Sequence, residues 1–101
     1  MKLTNEFQPI REWAEERGLY EKGDPKTQAL KLVEEMGELA QSILKNDQPE
    51  FEDAIGDCVV VLTNLAALSG TTIEDCINSS YNVIASRKGK MVNGTFVKES
   101  K

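Results

Sequence analysis

From Glu50 to Gly70 the chain carries acids at one end and an almost unbroken apolar run after them. The acids are Glu50, Glu52, Asp53 and Asp57; from Cys58 to Leu68 only Thr63 and Asn64 are polar. Val59-Val60-Val61-Leu62 taken alone also fits a strand. The length of the run and the one-turn spacing of Asp53 and Asp57 predict a buried helix instead. It starts near Pro49 or Glu50 and closes at Gly70. A helix apolar over most of its circumference needs neighbours on every side. A chain of 101 residues supplies few, so a dimer or larger assembly is expected.

Three more segments read as helices. Residues 5–17 place Phe7, Ile10, Trp13 and Ala14 on one stripe and stop at Gly18. On that stripe Trp13 is expected as core rather than as a platform for stacking a base. The loop Glu21-Lys22-Gly23-Asp24-Pro25 ends in a start signal, Asp24 as N-cap and Pro25 at the first helical position. The second segment runs from there to about Lys45, with Ala29, Leu32, Val33, Met36, Leu39, Ala40 and Ile43 as its apolar set. The fourth opens with a capping box, Thr71 with Glu74 or Thr72 with Asp75, and carries Ile73, Cys76, Ile77, Tyr81 and Ile84 toward Arg87. Beyond Gly89, Asn93-Gly94 within Met91-Val92-Asn93-Gly94-Thr95-Phe96-Val97 marks a short hairpin, the other option being an extended tail docked on a neighbouring subunit. Asn64 and Tyr81 are expected as hydrogen-bonded core residues. Cys58 and Cys76 stand in no metal or redox spacing and are expected as small buried residues.

In the second and third segments carboxylates recur at helical spacing. Glu34, Glu35 and Glu38 share one face, as do Asp53 and Asp57. Stacked like charges repel by a few tenths of a kcal/mol per exposed pair, and by more if two such faces converge. A divalent cation removes that repulsion, and carboxylate oxygens are the ligands Mg²⁺ or Mn²⁺ prefers. The two clusters therefore point to a metal site. Gly37 and Gly56 lie beside the acids, each at about 1 kcal/mol against alanine, as close approach of two helices at a shared site requires.

Composition narrows the chemistry. The net charge of −5 argues against nonspecific binding of DNA or an anionic membrane. From Arg87 onward the chain sums to +4, leaving −9 for residues 1–86, so an acidic body could hold a metal and a basic tail an anion. Histidine is absent, which excludes His-based acid–base catalysis, Ser-His and Cys-His nucleophiles, and the Glu-x-x-His ligands of di-iron bundles. With no signal peptide and no long apolar span, a reducing cytoplasm fits best.

Leu32-Val33-Glu34-Glu35-Met36-Gly37-Glu38-Leu39-Ala40, followed by Asp53-Ala54-Ile55-Gly56-Asp57-Cys58-Val59-Val60-Val61-Leu62, resembles the metal-binding core of the MazG-like all-α nucleoside triphosphate pyrophosphohydrolases. Tyr81-Asn82-Val83-Ile84-Ala85-Ser86-Arg87-Lys88-Gly89-Lys90-Met91 resembles the family's segment after the fourth helix. The resemblance spans roughly residues 28–98. It implies one all-α domain over 1–101, with a four-helix core over about 5–87 and a basic tail over 88–101, assembled as a homodimer or homotetramer. It also implies Mg²⁺-dependent hydrolysis of an NTP or dNTP between the α and β phosphates, releasing a nucleoside monophosphate and pyrophosphate.

By motif position Glu35 and Glu38 match the family's first acidic pair, Asp57 the last aspartate of the second, and Glu34 an extra acid of some members. The departure is Ala54, where the family pattern has an acid. Asp53, one turn before Asp57, either supplies that carboxylate or one ligand is lost. On this basis Glu35, Glu38 and Asp57 hold metal, Asp53 is a ligand or the general base for the attacking water, and Glu34, counted with the metal residues, is a spare acid that orients water or faces solvent. Arg87 and Lys88 are expected on the β- and γ-phosphates, Asn82 on a phosphate or sugar, and Lys31 on a phosphate or in a salt bridge to Glu35. The competing expectation is a catalytically weakened metal- or nucleotide-binding helical oligomer with a regulatory or structural role.

Overall fold

The computed structural model describes residues 5–99; Lys101, counted in the basic tail, and both ends of the 1–101 domain lie outside them. Five helices and a hairpin follow one another as α1 (Phe7–Glu16), α2 (Leu19–Lys22), α3 (Pro25–Leu44), α4 (Gln48–Leu68), α5 (Ile73–Ala85), β1 (Gly89–Val92) and β2 (Thr95–Lys98). The all-α class and the hairpin are as expected from the sequence. The one-turn helix α2 is an addition, because four residues are too few to show a period.

Local chemistry sets the ends. Gly18, at φ 77°, stops α1. The Asp24 carboxylate accepts from the Thr27 amide at 2.8 Å and its hydroxyl at 2.9 Å, fixing the start of α3. Asp47 accepts from the Glu50 amide at 3.1 Å, so α4 starts at Gln48, a little before the expected point. Thr72 accepts from the Asp75 amide at 3.1 Å and is the N-cap of α5, which decides between the two capping boxes. Asn93 and Gly94, at φ 49° and 84°, make the tight turn that pairs Met91 with Phe96 and Val92 with Thr95.

α3 and α4 form the main pair, antiparallel across a three-residue link. α1 lies on α4, and α2 closes the corner between them. The Tyr20 hydroxyl donates to Asn64 Oδ1 at 2.6 Å, which holds α2 to α4. Core side chains are small: Ala14, Ala54, Val61 and Ala66, with Glu35, Ser42, Thr63 and Asn64 buried beside them. Ser42 and Thr63 donate to the Leu39 and Val59 carbonyls at 2.6 and 2.7 Å, so neither hydroxyl is stranded.

Several expectations about the core are corrected. α3 turns Leu32, Glu35, Leu39 and Ser42 inward, and leaves Ala29, Val33, Met36, Ala40 and Ile43 exposed. Asn64 is buried as expected, but Tyr81 is exposed. Cys58 is half-buried and Cys76 exposed. Trp13 is 47% exposed. Gly37 and Gly56 face open space: a Cβ at either would meet nothing within 4 Å, so neither marks a close approach within the chain.

α5 leaves α4 at 102°. Arg11 donates to both carboxylate oxygens of Glu74, at 2.7 and 2.6 Å, pinning the first turn of α5 to α1. From Ser79 to the end of β2 every residue is exposed. The chain as a whole exposes 7682 Å², against about 5,700 Å² for a compact monomer of its mass. Its radius of gyration is 16.0 Å, against about 13 Å for a compact chain of this length. No single helix among the described residues is long and apolar enough to cross a membrane.

Candidate metal centre

The inward turn of α3 brings its acids to α4. Glu35 is buried, with Glu34 and Glu38 exposed on either side, and one carboxylate oxygen of each lies within 4.8 Å of the others. One turn earlier, Lys31 Nζ stands 3.1 Å from Glu34 Oε1 and 3.4 Å from Glu35 Oε1. These two carboxylates hold the Lys31 ammonium above its ordinary pKa, Glu34 contributing more. Lys31 is thus an ion-pair partner of the cluster, one of the two roles expected for it.

Asp57 faces this group from α4. Burial pushes its carboxyl up first, and the neighbouring Asp53 and Glu35 push in the same direction. The carboxyl of Glu38 is raised by Glu35 first, then by desolvation and Glu34, with Asp57 adding to it. Three acids of α3 and two of α4 therefore share one electrostatic environment. Asp53 and Asp57 lie outside the 4.8 Å triplet. Ala54 is buried in the core and presents only a methyl group there, whereas Asp53 is exposed and next to Asp57.

The donor set suits a hard divalent cation. It offers carboxylate oxygens alone, crowded enough to hold the Glu38 and Asp57 carboxyls above their ordinary range, and the nearest positive charge is a lysine ammonium bridging two of the acids. Glu34, Glu35 and Glu38 could hold the ion from α3, with Asp57 and Asp53 reaching it from α4.

The cationic residues are not gathered here. Asn82, Arg87 and Lys88 are exposed on or just beyond the unpacked half of α5. Among the described residues neither Arg87 nor Lys88 forms an ion pair. Sequence reasoning also missed a cleft of about 440 Å³ beside the acids, lined by Pro9, Ile10 and Trp13 of α1 and Asp57 and Val60 of α4. The stripe that suggested core burial for Trp13 was the available signal. It does not tell a packed face from the wall of a cleft.

Comparison with known proteins gives the family. The family described as MazG nucleotide pyrophosphohydrolase domain matches residues 24–92, from the cap of α3 to the end of β1. The chain belongs to this family. It is also 47% identical over 57 residues to an uncharacterized 18.2 kDa protein encoded in the rep-hol intergenic region of Haemophilus phage HP1 (strain HP1c1). That similarity covers 56% of this chain and 35% of the phage protein, so the chain matches about a third of its relative's length. No solved structure matches.

Proposed function

We propose that this protein is a Mg²⁺-dependent nucleoside triphosphate pyrophosphohydrolase, cleaving an NTP or dNTP between the α and β phosphates. The observation that carries the reading is the convergence of Glu34, Glu35 and Glu38 with Asp57 across the α3–α4 pair. Membership of the MazG family supports the reaction class. Bound Mg²⁺ would neutralise the polyphosphate and lower the pKa of a water, with Mn²⁺ a substitute.

Glu35, Glu38 and Asp57 are the proposed ligands. Asp53 completes the set as a further ligand or as the base that takes a proton from the attacking water. Glu34 shares Lys31 with Glu35 and is the spare acid of the triplet, available to the ion or to a water beside it. Arg87 and Lys88 bind the β- and γ-phosphate oxygens and stabilise the departing pyrophosphate, and Asn82 contacts a phosphate or the sugar.

The assembly is proposed to be a homo-oligomer, a dimer or tetramer. The excess of exposed surface and the apolar outer face of α3 support it, with Leu30 73% and Leu44 82% exposed. An obligate interface takes roughly 1,000 Å² or more from each partner. Because the end of α5 stands free of its own helices, the cations serving one acid cluster belong to the neighbouring subunit. A reducing cytoplasm suits the free thiols Cys58 and Cys76, and the net charge suits neither DNA nor an anionic membrane as partner.

The test is pyrophosphate release from canonical, deoxy and modified NTPs, with and without Mg²⁺, with Glu38→Gln and Asp57→Asn alongside. Mg²⁺-dependent release lost in both variants is the expected result. The buried methyl of Ala54 favours a second reading, a weakened binding protein. Folded protein that binds nucleotide but releases no pyrophosphate from any of them would select it.

A further inference from the structure

The first turn of α5 is gripped by one side chain of α1. Arg11 commits its whole guanidinium to the grip: Nη1 and Nη2 donate to the two Glu74 carboxylate oxygens at 2.7 and 2.6 Å, and Nε donates to Gln8 Oε1 at 2.9 Å. Arg11 and Glu74 stand 63 positions apart in the chain, and their side chains are only 20% and 29% exposed. An exposed ion pair contributes little in most proteins. A bidentate arginine–carboxylate pair with both partners largely covered is the exception.

Little else directs this helix. Backbone bonds fix the link from α4 as far as Thr71: the Gly70 amide donates to the Ala67 carbonyl at 3.3 Å and the Thr71 amide to the Ala66 carbonyl at 3.0 Å. Thr72 caps α5 itself and so turns with it. Within α5 no residue is buried, and Ile73, Glu74, Ile77 and Asn78 alone are half-buried. Asn82, Arg87 and Lys88 all lie beyond them. At helical rise, Arg87 is about 20 Å from Glu74, so a tilt of about 10° at the first turn carries the cations roughly 3.5 Å. The distance window of a hydrogen bond is about 0.5 Å wide.

We infer that Arg11 and Glu74 are a positioning pair, which holds α5 at its angle to α4 and thereby aims Arg87 and Lys88 at the β- and γ-phosphates. The inference rests on the pyrophosphohydrolase reading and adds to it two residues that touch neither substrate nor metal. Direction needs the planar two-point fork of arginine. An ammonium in the same place keeps the charge but leaves the carboxylate free to turn about it.

Two readouts on the full chain test the pair, and neither requires turnover. Residual dipolar couplings of backbone amides report the direction of α5 against α3 and α4. Arg11→Met should reduce the couplings of α5 and leave those of α3 and α4 unchanged. Affinity for tripolyphosphate with Mg²⁺, measured by calorimetry, should fall by roughly 10-fold in the same variant, about what one charge-assisted hydrogen bond supplies. In a chain already carrying Arg87→Ala and Lys88→Ala, adding Arg11→Met should cause little further loss, because the pair acts through those two cations. Arg11→Lys should recover little of either signal. If Arg11→Met does not fold, Glu74→Gln carries the same comparison. Unchanged α5 couplings would assign the angle to the link or to a neighbouring subunit and overturn the inference. Equal losses with and without the two cations, or an Arg11→Lys chain that matches the parent, would overturn it as well. Pyrophosphate release is followed beside these. A parent that binds tripolyphosphate in the expected pattern but hydrolyses no nucleotide keeps the pair and sinks the catalytic reading.

Discussion

Asp57 sits where burial, Asp53 and Glu35 all oppose its negative charge. Its pKa is raised in the folded chain, so folding without metal is favoured by protonation of Asp57 and loses that stability as the pH rises through the raised value. Asp57→Asn is therefore expected to raise the Tm of metal-free protein at pH 7. The gap to the parent should close as the pH falls through the raised pKa to the ordinary aspartate value of about 3.9. The same variant should lose more pyrophosphate release than the roughly 10- to 100-fold that loss of a supporting partner produces. Thermal melts across pH, set beside the release assay, check both. Glu74 behaves in the opposite sense, because the Arg11 hydrogen bonds hold its carboxyl below the usual range. Its contribution is present above the ordinary glutamate pKa of about 4.3 and is lost as the pH falls through the lower folded value. Glu74→Gln should cost about 1–2 kcal/mol at pH 7 in denaturant melts and much less near pH 3.

Helix ends and the hairpin turn were the parts most legible in the sequence, because each depends on a few adjacent atoms. Asp24-Pro25 and Asn93-Gly94 act where the sequence places them, and of the two threonines offered for the cap of α5 it is Thr72 that acts. Thr72→Ala should destabilise α5 by about 1 kcal/mol, seen as faster amide exchange over its first turn. The hairpin is a separate matter, since none of its strand residues is buried. Gly94→Val forces a β-branched side chain into left-handed backbone, at about 1–2 kcal/mol. Amide protection in β1 and β2 should disappear while helix protection is unchanged. Loss of helix protection as well would show that the hairpin is packed in solution.

The molecule as a whole has a small core of alanine, valine and buried polar groups, and a wide apolar exterior. Val33 lies on the outer face of α3, where a charge in an isolated chain changes stability by no more than about 0.5 kcal/mol. Val33→Asp is expected to convert a dimer or tetramer to monomer in sedimentation and to lower Tm. A variant with unchanged mass and Tm would remove this face from the interface. Mixing Asp57→Asn subunits with Arg87→Ala subunits should restore part of the pyrophosphate release that each lacks alone, since a mixed assembly retains one site with both groups.

By itself the sequence determined the helical class, the caps, the Asn-Gly turn and the two acid clusters, because these depend on spacing and neighbouring atoms. Only the tertiary structure decided which stripe of α3 turns inward. Leu32 and Leu39 lie on one row and Val33, Met36 and Ala40 on another, and burial against α4 selects the row that carries Glu35 and Ser42. The same packing exposes Trp13, buries Ala54 and turns α5 from α4 at 102°. Periodicity identifies the faces of a helix, but contact with another helix decides which face is buried.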